Sequence, residues 1–243
     1  METEKEHFVS EHFVSEHFVS EHFVSEHFLT FCLHNMGCII IFAHIDYLLR
    51  YIKVKSRWCQ FRAIVNGLIV ACTWQDVVCC IQNHDNSSSL PRYPYAESLV
   101  FSLHLYQYVR WMFLGKQVLY HTFVLIRTQI CYQNNNKTIS LLYFFCNGYP
   151  SLVDYTMLSM FQNGIVEKQT MNSVITANIN YVRKPGAALV ASLLLHDAFR
   201  DVGVEHIKNV KFYSNILLAF IVYYEYAITR SNSTRLDNGG KSK

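Results

Sequence analysis

Charge is scarce in this chain. Of its 243 residues, 16% are Asp, Glu, Lys or Arg and 51% are hydrophobic, where an average soluble domain carries about 25% charged residues. The shortage points toward a lipid environment. Mean hydropathy nevertheless reaches only +0.11, because twelve His and sixteen Tyr lie among the apolar residues. No basic block and no recognition motif accompanies the net charge of +3, which argues against a nucleic-acid partner. No two of the eight cysteines stand as C-x-x-C, so neither a zinc site nor a redox motif is expected, and the thiols read as small buried hydrophobes. Residues 1–6, METEKE, are acidic where a signal peptide would be positive, so no cleaved signal is expected. Apart from a repeat at the start, no linker-like stretch divides the chain. The expectation is one domain over residues 29–230, between a tail at 1–28 and a polar tail at 231–243.

The first tail repeats EHFVS four times and begins a fifth copy at Glu26. Five residues advance about 500° around an α-helix, so His7, His12, His17, His22 and His27 spiral around it instead of lining a face. In a strand the odd period sends alternate histidines to opposite sides. Neither regular structure makes a metal-binding array. Near-identity of the copies reads as tandem duplication of a low-complexity segment.

Beyond the tail, seven apolar stretches recur: Leu29 to Leu49, Ala63 to Ile81, Ser98 to Leu114, Gln117 to Tyr132, Ile139 to Phe161, Gly186 to Phe199 and Phe212 to Thr229. A spanning helix needs about 20 apolar residues, which the first, second and fifth approach and the fourth and sixth do not. Asp46, Asp76, Arg127 and Asp154 interrupt the stretches. Each costs about 2.5–3.5 kcal/mol at a helix centre and is tolerated mainly when it faces a bundle interior. The fold class expected is all-α, a multi-pass transmembrane bundle of about seven helices; a soluble all-helical domain is the alternative.

Loop charge sets an orientation, since short cytoplasmic loops accumulate Lys and Arg. Arg50, Lys53, Lys55, Arg57 and Arg62 crowd the first connection, whereas the second holds only Arg92. Alternation through seven spans puts the N-terminus outside. It puts Lys168, Arg183 and Lys184 inside, with the C-terminal tail. The two outer loops contain the glycosylation sequons of Asn86 and Asn136. The loop with Arg200, Lys208 and Lys211 dissents.

Reactive side chains are densest in LLLHDAFRDVGVEHIKNVKF. On a helix Asp197, Asp201, Glu205 and Lys208 would form one polar stripe at i, i+4, i+8 and i+11. His196 beside Asp197 supplies an imidazole that titrates near neutral pH and a carboxylate that can orient it, the elements of general-base catalysis. The plainer account ends the apolar run at His196 and leaves the charges in an aqueous loop, with Gly203 breaking the helix. Cys79, Cys80 and His84 lack a fourth ligand and a metal-site spacing, so no metal is expected.

Residues 180–230 resemble the last third of a TLC domain, the multi-helix membrane domain of ceramide synthases and their translocon-associated relatives. The resemblance lies in Asn180, Tyr181, Arg183 and Gly186, the Leu195-His196-Asp197 step, Asp201, Glu205 and Lys208, and the closing Thr229 and Arg230. It implies an endoplasmic reticulum membrane protein that binds lipid or transfers an acyl group from acyl-CoA, as co-substrate, to a sphingoid-base amine. His196, Asp197 and Asp201 would then be catalytic, and no resident cofactor is implied. The spacing departs from the family's pattern, with a longer helix before His196. The family's adjacent histidine pair is missing: its place reads QTMNSVIT, with Asn172 and Ser173 there, and His121 in VLYHTFVL fits only another alignment. A non-catalytic protein of the same fold, or an orphan helical protein, is the alternative.

Overall fold

The computed structural model describes residues 29–82, 95–111, 138–200, 213, 215–219 and 222. Of these, 93% are helical, and none forms a strand. Helix α1 spans Leu29–Tyr51, α2 Arg57–Gln82 and α3 Tyr95–Trp111. Helix α4 is continuous over 138–162 and α5 over 168–200, and residues 213, 215–219 and 222 are helical as well.

Two of the connections are tight turns of the same construction. Leaving α1, the Lys53 N–H donates to the Arg50 carbonyl and the Val54 N–H to the Leu49 carbonyl, at 3.0 and 3.1 Å. This is the pair of bonds that closes a helix through a left-handed residue. Lys53 holds that position with φ of 55°. Leaving α4, Gly164 donates to Phe161 and Ile165 to Met160, with Gly164 at φ of 72°. Val54 packs back on the core that contains Leu49, the apolar contact that accompanies such an ending. The two turns adjoin: the Ser56 and Ser159 hydroxyls share a 2.7 Å hydrogen bond, and Asn163 donates to Ser56 at 2.7 Å.

These contacts place Arg50, Lys53, Lys55 and Lys168 at one end of the bundle, and further contacts fix each helix's direction. Helix α2 runs antiparallel to α1, with Arg57 against Asp46 and Phe61 against Phe42. It is also antiparallel to α4, from Ser56–Ser159 through Arg62–Tyr155 to Asp76–Ser140. Helices α1 and α3 are parallel, with Asn35 against Ser102 and Asp46 against Tyr106. Trp111 therefore ends α3 toward the basic end, while Thr138 begins α4 at the Asp76 end. Packed between the helices is one core that includes Phe42, Phe61, Ile69, Tyr143, Leu194 and Leu218.

The structure corrects the expected loop before Gly186. Arg183 and Lys184 lie inside α5, which begins at Lys168 and runs through Pro185. A proline lacks the N–H that an α-helix needs and clashes with the carbonyl four residues back. Here the residue before each proline adopts a wider turn. Tyr149 donates to the Phe144 carbonyl ahead of Pro150, and Lys184 donates to the Ile179 carbonyl ahead of Pro185. Both are i→i−5 bonds, closing π-helical segments at Tyr143–Gly148 and Ile179–Arg183. An inserted π turn carries each helix past a residue that would otherwise end it.

The stretch Gln117 to Tyr132, expected as a fourth helix, lies outside the described residues. So does most of the stretch Phe212 to Thr229. Of the described helices, α1 over 23 residues and α2 over 24, Arg57–Cys80, are long and apolar enough to cross a membrane.

Candidate functional site

On α1 and α2 a set of polar side chains points inward. On α2, Arg62, Asn66, Thr73 and Asp76 recur at i, i+4, i+11 and i+14, one stripe of the helix. The same side carries the core residues Val65, Ile69 and Val77. On α1, Asn35 and Asp46 share the inner face with Phe42 and Leu49, and both are buried, at 5% and 8% exposure. Burying such groups costs free energy unless each finds a partner, and the helices supply partners across the interfaces. The Ser102 hydroxyl donates to Asn35 Oδ1 at 2.8 Å, Ser140 to Asp76 Oδ2 at 2.6 Å, and the Tyr106 hydroxyl to Asp46 Oδ2 at 3.1 Å. Arg57 Nε sits 3.2 Å from Asp46 Oδ1. Arg62 donates to Gln107 Oε1 at 2.6 Å and lies over the rings of Tyr155, at 4.4 Å, and Trp58, at 5.6 Å. Of the four charges that interrupt the apolar stretches, Asp46, Asp76 and Asp154 all face into the bundle, and Arg127 lies outside the described residues.

A polar knot joins α4 and α5 beside their π turns. Asn178 Nδ2 donates to the Pro150 carbonyl and to Asp154 Oδ1, both at 2.8 Å. Arg183 donates to Asp154 Oδ2 at 3.1 Å and reaches the Ser151 hydroxyl at 3.4 Å. Arg183 itself belongs to the π segment, so the widened turn also swings the guanidinium toward α4. Next to the knot the backbones come close: a β-carbon built on Gly186 would sit 2.5 Å from Phe145 Cβ. Sequence reading singled out Asp154 but missed Asn178 as its partner and put Arg183 in a loop. The signal that could have joined them is the i, i+5 spacing of Asn178 and Arg183, which shares a face only on a helix widened by a π turn.

Among the described side chains, His196 is the one selected on chemical grounds, and it lies along α5 away from this knot. His196 is exposed near the end of α5. Asp197 lies in the same helix, but its side chain is outside what is described. Asp201, His121 and the sequon residues Asn86 and Asn136 also lie outside the described residues. Cys79 and Cys80 are partly buried, His84 lies outside the described residues, and among those described no group of three His, Cys, Asp or Glu side chains is placed to hold a metal ion. Asn172 and Ser173, in the place of the missing histidine pair, stand on the outward side of α5 along a surface hollow of about 730 Å³. No protein-family model, curated protein or solved structure matches this chain.

Proposed function

We propose that this chain is an integral membrane protein, a multi-pass helical bundle whose helices α1 and α2 turn apolar side chains to lipid and polar ones inward. The observation that carries the reading is its inverted polarity. Helix α1 turns Leu33, Met36, Ile40 and Leu48 outward, each more than half exposed, while Asn35 and Asp46 are buried. Only 22% of its apolar window and 33% of that of α2 is covered by the rest of the bundle. A helix at the centre of a soluble domain would instead hide its apolar residues and turn its amides and carboxylates to water. Lipid accepts this exterior, and internal pairing satisfies polar groups such as Asn35, Asp46 and Asp76 that lipid would not.

Chain direction supports further spans. Because α3 and α4 are parallel, Trp111 and Thr138 lie toward opposite ends of the bundle, which favours a multi-pass arrangement. In this orientation Arg50, Lys53, Lys55 and Lys168 lie on the cytosolic side and the N-terminus on the lumenal side. Extraction of membranes at alkaline pH tests the core of the proposal: the protein should stay in the pellet and enter solution only with detergent. A water-soluble monomer obtained without detergent would refute it. Protease protection of tags at each end of the chain tests the orientation, and a protected C-terminal tag would reverse it.

A narrower reading, lipid binding or acyl transfer of the TLC kind in the endoplasmic reticulum, rests on the motif residues from Asn180 to Arg230. In it His196 acts as base and Asp197 orients the imidazole. Replacing either with Ala should lower acyl transfer per inserted molecule by about a hundredfold or more. Absence of activity in the wild type, or equal activity in all three proteins, would leave a non-catalytic membrane protein.

A further inference from the structure

The two sides of the bundle offer lipid different surfaces at the same depth. Asn178 meets Pro150 and Asp154 of α4, Leu152 meets Gly67 of α2, and Phe61 of α2 meets Phe42 of α1. This register sets residues 169–180 of α5 level with the part of α1 that turns Ile40, Ile41 and Leu48 outward. The inner side of that segment, Met171, Asn178 and Ile179, is buried, and its outer side is largely polar: Gln169, Ser173, Thr176 and Asn180 are exposed and Asn172 half-buried, with Ala177 and Tyr181 beside them. Amides and hydroxyls exposed to hydrocarbon are costly.

We propose that this face of α5 is covered by the same face of a second copy of the chain, an inference that rests on the membrane reading above. Copies inserted in one orientation can be related only by a two-fold axis along the membrane normal, which pairs their α5 helices in parallel. In a parallel pair each seam residue meets its own image. A carboxylate or ammonium would be repelled there, and an apolar side chain would gain nothing over lipid. An amide or hydroxyl is both donor and acceptor and so bonds its own image. The outer face carries only uncharged side chains between Lys168 and Lys184. Gln169, Ser173, Thr176 and Asn180 follow at intervals of four, three and four, the repeat of a left-handed parallel helix pair, and polar groups of this kind join helices in membranes. Asn180 Oδ1 accepts from Lys184 at 2.6 Å, which leaves its Nδ2 directed to a partner. Lys168 ends the seam at the basic end, where water and headgroups screen it.

The test is energy transfer between two differently tagged copies of the full chain, coexpressed at low level in cell membranes. The wild type should give transfer that persists on dilution into excess lipid. Ser173→Leu/Asn180→Leu should reduce the apparent association constant about tenfold or more, while Ser173→Thr/Asn180→Gln and the α1 control Ile40→Ala/Ile41→Ala should retain it. Alkaline extraction of the same membranes separates the two ideas. A pelleted wild type without transfer, or a pelleted leucine variant with full transfer, overturns the self-association alone. A wild type released into the supernatant overturns the membrane reading, and this inference with it.

Discussion

Removing the Arg183 guanidinium should destabilise the bundle more than most single changes, because of what it leaves behind. Asp154 Oδ2 loses a donor at 3.1 Å, in a place where both side chains are only about 15% exposed. Deleting one partner of a buried ion pair costs about 3–5 kcal/mol. Asn178 still donates to Oδ1 at 2.8 Å, and the residual exposure admits some water, so Arg183→Ala is placed at the lower end, about 3 kcal/mol. For a chain of this size about 1 kcal/mol moves the midpoint by roughly 2–4 °C, so the expected loss is about 6–12 °C. Asp154→Ala should cost less, since it leaves a long cation able to reach Ser151 or the surface. Asp154→Leu/Arg183→Met removes both charges and restores apolar volume, which is near neutral or stabilising for such pairs. The assay is retention of the monodisperse size-exclusion peak after heating in mild detergent, for the wild type, each single variant and the double. Arg183→Ala within about 1 °C of wild type, or a double variant as unstable as the summed singles, would refute the view that this pair is a buried coupled unit.

Four other substitutions probe separate parts of the fold by the same heating assay. Gly186→Ala would drive a methyl group to 2.5 Å from Phe145, and overpacking of this kind should cost about 1–3 kcal/mol. An unchanged midpoint would mean that α4 and α5 are not in close backbone contact there. Lys53 and Gly164 hold equivalent left-handed positions, so Lys53→Gly should stabilise by about 1 kcal/mol and Gly164→Ala should destabilise by about as much. Shifts of the same sign in both would contradict the turn geometry. Ser140→Ala takes the 2.6 Å donor from buried Asp76 and should cost about 1.5–3 kcal/mol, the range for hydrogen bonds to charged groups. A change below about 0.5 kcal/mol, the scale of an ordinary surface substitution, would place Asp76 in contact with water.

Much of the helical architecture was legible in the residue pattern, because apolar periodicity and length are local properties. The stretches beginning at Leu29, Ala63, Ser98 and Ile139 reappear as α1, α2, α3 and α4 with ends moved by a few residues. The inward direction of Asp46, Asp76 and Asp154 also followed from local reasoning, since a charge in an apolar helix has few tolerable positions. The start of α5 was not legible: the apolar stretch begins at Gly186, whereas the helix begins at Lys168 and passes Pro185 through an i→i−5 bond that carries no composition signal.

What the sequence by itself determined is therefore the class of structure: an all-helical chain whose long apolar stretches are interrupted by a few charged and polar residues. Which polar group meets which was decided only by the packing of the helices. Asn35 finds Ser102 and Asp46 finds Tyr106 across 67 and 60 residues of chain, and Asp154 finds Arg183 because two π turns bring two proline-bearing helices together at Gly186. Periodicity assigns a residue to a face of its own helix, whereas the neighbour opposite it depends on the order, direction and register of all the others.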